Sequence, residues 1–382
     1  MHYRILFIPV LTLLALAALT VRGADLPSYE TPYYVIHTDL DANGVREATV
    51  RMTKMAEEYY SRTRDFSGEI RQKLPFYLYK NADDYLATGA PKGSAGFFDG
   101  EKLVALASSV GPRTWHTVQH EAFHQFAHSV IRGDLPVWVN EGLAEYFGEG
   151  LFTGDEFITG VIPQWRLSRI RTTLADKKFK PLDEMMNLTT EQWNSNLAVV
   201  NYDQGWSMVQ FLAHGDNGKY RQQFGAFVGQ LGQFARPDEA WNRSFGDTRG
   251  FEEKWRDYWS KLPDNPTVEL YARANTSTLT SFLARAFSQR QMFTSFDSFR
   301  QAAAAEQIRM HPEDWLPQSL LTDALIQTES LIKEGYSYAL VGRAGERPQL
   351  VCTMPNGKKV VGQFTVLNGR VSSVTADIGG GK

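Results

Sequence analysis

Apolar positions along the chain recur at two periods, and the period changes with region. Residues 33–38 (YYVIHT) and 75–79 (PFYLY) are short runs rich in aromatic and β-branched residues, which predicts strands. Between them Val45, Ala48, Met52, Met55 and Tyr59 keep helical spacing over 43–62. Residues 82–86 open a short helix, and 96–106 (GFFDGEKLVAL) read as a hairpin turning at Asp99-Gly100. This first region is β-α-β-β, a small mixed sheet. Residues 103–108 are expected at its edge, where an extended peptide can add by main-chain hydrogen bonds.

A helix is predicted over 114–131, stopped at Gly133. Val118, Ala122, Phe126 and Val130 recur every fourth residue and give it one buried face. After the short connector Asp134-Leu135-Pro136, residues 137–147 form a second helix, which so short a loop folds back beside the first. Residues 160–234 read as mainly helical. Residues 249–262 form an amphipathic helix whose stripe of Phe251, Trp255, Tyr258 and Trp259 is core. Pro263-Asp264-Asn265-Pro266 breaks the pattern, and helix resumes over 268–332. Period-2 alternation then takes over at 336–341, 349–353, 359–367 and 370–376, with hairpin turns at Pro355-Asn356-Gly357 and Leu367-Asn368-Gly369.

The pattern predicts an α+β fold. A small mixed N-terminal sheet occupies 24–112 and a mainly helical part 113–262. A linker and helical segment follow at 263–332, and a small C-terminal antiparallel β module at 333–382. Residues 1–23 read as a signal peptide, with Arg4 before an apolar run and small residues ahead of a cut near Ala24. That implies export to the periplasm or outside the cell, with no stable membrane insertion after cleavage. A formal net charge of −3 gives no sign of a nucleic-acid partner. The chain has one cysteine, Cys352, so no internal disulfide is available; its strand-like surroundings mark it as a buried structural residue.

The chemistry concentrates on 116–147. His120-Glu121-Ala122-Phe123-His124 is an H-E-x-x-H motif. On a helix, His120 and His124 lie one turn apart on one face and can reach one metal ion, while Glu121, about 100° round, faces the reacting centre as a base. His116 and His128 extend the row at the same spacing, but the helix drifts about 40° per step, so four histidines cannot converge on one ion. The outer two are read as structural or cleft-lining.

The second helix carries Asn140-Glu141-Gly142-Leu143-Ala144-Glu145-Tyr146-Phe147. With the H-E-x-x-H motif, this resembles the gluzincin zinc metallopeptidases, and in particular exported bacterial gluzincin-like proteins with Trp-x-Asn-Glu-Gly-Leu-Ala-Glu-Tyr-Phe. The resemblance implies a zincin-like helical catalytic domain holding one zinc ion per chain. His120, His124 and Glu141 would be its ligands, and Glu121 the general base and then acid. Glu145 would orient a ligand histidine through its second ring nitrogen. The segment Tyr202-Asp203-Gln204-Gly205 resembles the family's Tyr-x-x-Gly run and implies Tyr202 as the donor to the oxyanion, with His214 next in line. The Gly-x-Met-Glu-Asn run of the aminopeptidases is absent, and Ala95-Gly96-Phe97-Phe98 stands in its region. The expectation is thus an endopeptidase-like enzyme acting on peptide or protein substrates. Two alternatives stand beside it: an amide hydrolase acting on a non-peptide or cell-wall bond, and a non-catalytic zinc-containing binding protein.

Overall fold

The computed structural model describes residues 26–107, 112–131, 133–195, 198–342 and 346–379. The expected signal segment lies outside them. Among the described residues no helix is long and apolar enough to cross a membrane.

Strands β1 (Ser28–Glu30), β2 (Tyr34–Thr38) and β3 (Leu74–Tyr79) flank helix α1 (Ala42–Thr63), and a short helix α2 (Ala82–Ala87) leads to β4 (Gly96–Phe98) and β5 (Leu103–Leu106). They form one sheet in the order β1-β2-β3-β5-β4. β2, β3 and β5 run parallel, with antiparallel β1 and β4 on the edges. The Asp99-Gly100 turn forms as expected: Gly100 takes φ +94°, and Asp99 Oδ1 accepts from the amides of Glu101 and Lys102. The edge is not where the sequence suggested. β5 lies inside the sheet between β3 and β4, because Leu103, Val104 and Ala105 are all buried and need cover on both faces. β4 folds outside it and forms the edge on that side.

Helix α3 (Pro112–Val130) packs on this sheet, and α4 (Val137–Gly148) folds back beside α3. The hairpin β6 (Leu151–Phe152) and β7 (Phe157–Ile158) was not foreseen, its strands being too short to show a period. A helical layer follows: α5 (Gln164–Ala175), α6 (Leu182–Met186), α7 (Thr190–Trp193), α8 (Ala198–Gly218), α9 (Arg221–Leu231), α10 (Pro237–Ser244) and α11 (Thr248–Lys261). Helical geometry in α8 ends before Gly215. Phe251, Trp255 and Trp259 are buried as the amphipathic stripe required, with Trp138, Trp193, Trp206 and Trp241 also fully enclosed.

The C-terminal part comprises α12 (Val268–Ser288), α13 (Phe296–Ala304), α14 (Gln318–Lys333) and the antiparallel sheet of β8 (Ser337–Val341), β9 (Gln349–Thr353), β10 (Lys359–Leu367) and β11 (Arg370–Gly379). Helix α12 is buried almost throughout. One side carries the sheet, with Gly362 so close to Thr280 that no Cβ would fit. The other side is tied to the β6–β7 hairpin by Arg285–Asp155 (2.9 Å) and Arg273–Glu156 (2.9 Å). The β module thus packs on the rest of the chain through α12. Cys352 is buried and unpaired in β9.

Candidate metal centre

Two backbone contacts bring the chemistry together. Gly142 of α4 and Gly205 of α8 lie against each other: a Cβ at Gly142 would stand 2.6 Å from the Gly205 carbonyl oxygen. Only glycine permits that approach, and it draws the helix bearing Glu141 onto the helix bearing Tyr202. Each residue of the Tyr202–Gly205 run has a separate task. Tyr202 faces the cleft and Asp203 binds Arg166 and Arg169. Gln204 is tied to the backbone of Lys180, and Gly205 makes the helix contact.

On α3, His120 Nε2 and His124 Nε2 are 3.1 Å apart, and each is 3.4 Å from Glu141 Oε2. Ligand atoms of a tetrahedral zinc ion, at about 2.0–2.1 Å from the metal, stand about 3.3 Å from one another. The three donor atoms therefore fit one small cation. Glu141 Oε2 is buried with no hydrogen-bond partner among the described residues, as is His124 Nδ1. Such an orphaned carboxylate oxygen is expected where an ion belongs.

Behind this set, His120 Nδ1 lies 3.2 Å from Glu145 Oε1. Glu145 and Glu149 (2.7 Å) are both held by Arg166, which is only 2% exposed, stacks on Trp206 at 4.6 Å and reaches Asp203 at 3.3 Å. Burial opposes charge on His120, but its contacts with Glu141 and Glu145 outweigh burial and lift its pKa to about 10. Against the same burial, the two histidines hold Glu141 down at about 2. Glu145 falls far below the usual carboxylate range, burial being overcome by Arg166 and then His120.

Glu121 sits beside the donor set. Its Oε2 accepts from the Phe98 amide of edge strand β4 at 3.1 Å, and burial raises its pKa above the ordinary glutamate value. Tyr202 stands across the cleft with its ring 6.3 Å from that of His120. Burial, then Glu141, raises the tyrosine pKa, so the hydroxyl keeps its proton. These groups line a cavity of about 520 Å³ together with His128 and Phe98.

The structure separates the remaining histidines. His128 lines the cleft beside the Phe98 ring. His116 faces away, grouped with Glu145 and Glu149. His214 lies on the far side of α4, with its Nε2 2.8 Å from the Tyr146 hydroxyl, and it lines a different cavity with Arg62 and Arg221. Burial and those two cations pull it down to about 4. It does not face the metal cluster, so its place as runner-up oxyanion donor falls away. Arg166 was missed from sequence, where it is one of three arginines, with Arg169 and Arg171, and nothing in the local pattern marks it as buried.

Residues 114–233, the span from α3 to just past α9, match a family described as "Protein of unknown function (DUF1570)". No curated protein and no solved structure matches the chain.

Proposed function

We propose that the protein is a zinc-dependent metallopeptidase of gluzincin type, exported, cleaving peptide bonds by an endopeptidase-like route. The observation that carries this reading is the convergence of His120 Nε2, His124 Nε2 and Glu141 Oε2 within 3.4 Å, with Glu121 beside them. His120, His124 and Glu141 would hold the ion, and Glu145, locked by Arg166, keeps the His120 ring in place. Bound zinc would supply Lewis acidity, polarising the scissile carbonyl and making water a better nucleophile at neutral pH.

Glu121 takes the proton of the attacking water and returns it to the leaving amine. Its raised pKa brings it closer to neutrality than an ordinary glutamate, which suits both steps. The hydrogen bond from the Phe98 amide fixes the carboxylate's direction. Tyr202, kept protonated, donates to the carbonyl oxygen as charge develops there. β4, an edge strand among the described residues, receives the substrate backbone in extended form along the cleft through the main-chain groups that Glu121 leaves free.

The test is metal analysis of the purified chain combined with cleavage of a peptide library with and without a chelator. About one zinc per chain and chelator-sensitive internal cleavage are expected. A metal-free, folded chain that cleaves equally well with chelator present would overturn the reading.

A further inference from the structure

A second cavity, about 440 Å³, lies behind α3, between α1 and the β6 strand on one side and α12 and α14 on the other. Nothing in the proposed peptidase chemistry uses it. On its catalytic-side wall, Arg51 has a side chain only 12% exposed. Its guanidinium lies between two aromatic rings, 4.8 Å from Trp115 and 4.6 Å from Phe152. Arg51 Nε donates to Glu47 Oε1 at 2.8 Å, and Trp115 Nε1 donates to the same oxygen at 3.1 Å. Neither terminal nitrogen of Arg51 has a partner among the described residues. A guanidinium pinned by stacking and by Nε alone presents its planar fork for bidentate binding of a carboxylate.

The C-terminal wall supplies the complement. Asn275, 4% exposed, donates through Nδ2 to Thr328 Oγ1 (2.8 Å) and to the Tyr338 hydroxyl (2.9 Å). Thr328 spends its own proton on the Ala324 carbonyl, so it must accept from Asn275, and this fixes which way the amide points. Asn275 Oδ1 is then a buried acceptor with no donor among the described residues. Asp323, also on this wall, is exposed, makes no ion pair within 4.0 Å among the described residues, and acts on Arg51 through its charge. Trp115, Phe152 and Leu320 give the space an apolar surface.

We propose that this cavity binds a free α-amino acid with an apolar side chain. Its carboxylate lies on the Arg51 fork, its ammonium group is taken by the exposed Asp323 carboxylate, and its side chain packs among Trp115, Phe152 and Leu320. The site exists only because α12 and α14 close it, which gives the C-terminal part a role in ligand binding.

The experiment is calorimetric titration of the full chain with L-leucine, L-leucinamide and N-acetyl-L-leucine. Leucine should bind saturably, one per chain. The amide, which lacks the carboxylate, and the acetylated form, which lacks the ammonium, should each bind at least about tenfold more weakly. Arg51→Lys keeps the charge without the fork and should lose leucine binding by a similar factor. Asp323→Asn, at an exposed position that folding tolerates, should weaken leucine but not N-acetyl-leucine, and it carries the test alone if Arg51→Lys does not fold. Binding should survive His124→Ala, which separates this site from the metal cleft. No leucine binding at millimolar concentration, equal binding of leucine and leucinamide, or loss of binding in His124→Ala would each overturn the proposal.

Discussion

Two clusters of similar chemistry lie within two turns of each other on the same helices. His120, His124 and Glu141 form one, and His116, Glu145 and Glu149 the other; in each, the ligand-type atoms lie within 4.8 Å of one another. By residue type and spacing both qualify as metal sites. They differ in what already occupies the middle. The second cluster encloses the Arg166 guanidinium, which is bonded to both of its carboxylates. The first holds no arginine or lysine, only its two histidines, whose Nε2 atoms stand 3.4 Å from a Glu141 Oε2 that accepts no hydrogen bond among the described residues. A buried carboxylate must be paired: in the metal-free site the His120 proton does so, and a bound cation would take that proton's place. One cluster is thus a closed ion-pair network that steadies the other.

The largest effects should divide the clusters cleanly. His124→Ala should remove bound zinc and all turnover, whereas His116→Ala should leave zinc content, by elemental analysis, unchanged. Zinc loss in both variants would erase the distinction. Glu121→Gln should keep zinc and lower turnover by about 10²- to 10⁴-fold, since it removes the base but no ligand. A Glu121→Gln enzyme at full rate would remove glutamate from the mechanism. Tyr202→Phe should cost about 10²- to 10³-fold in kcat with KM little changed. If kcat held, the donor would lie elsewhere in the cleft.

Much of the first cluster was legible because its residues are close in sequence. His120, Glu121 and His124 share one helix, and the connector at Asp134-Leu135-Pro136 is too short to place Glu141 far away. Glu145, one turn beyond Glu141, came from the family likeness. Tyr202 came from family likeness, and the structure adds the physical cause, the Gly142–Gly205 contact that joins α4 to α8. Pairwise contacts between distant segments leave no such trace. Arg166 lies 21 residues from Glu145, and nothing in local pattern says that its charge is buried. The same reason hid the edge strand. β4 and β5 were both found, but which of them lies outside depends on β3, 24 residues before the second. The C-terminal sheet was visible from alternation and turn residues, while its docking on α12 depends on tertiary contacts such as Gly362 against Thr280.

Smaller changes sharpen how one cluster supports the other. Glu145→Gln leaves every direct ligand in place but loosens the hold on His120 Nδ1. Zinc affinity should fall by about 10- to 100-fold, measured by competition with a chromophoric chelator. An unchanged affinity would make Glu145 part of the Arg166 network only.

The pH dependence is the gentlest test, and it reads the coupling directly. His120 is raised from 6.5 to about 10 by its two carboxylates, so the metal-free site carries a proton through the neutral range. Its contribution to the stability of the metal-free fold is complete below pH 6.5 and is lost as pH rises through about 10. Zinc must displace that proton, so between pH 6.5 and 10 its affinity should rise about tenfold per pH unit. Glu141, held at about 2, stays ionised throughout and adds no slope. Melting temperatures with and without zinc, at fixed free zinc across this window, should therefore diverge as pH rises. A constant gap would show that His120 carries no proton there. In Glu145→Gln, which removes one of the two groups raising His120, the divergence should level off at lower pH, while in His116→Ala it should be unchanged.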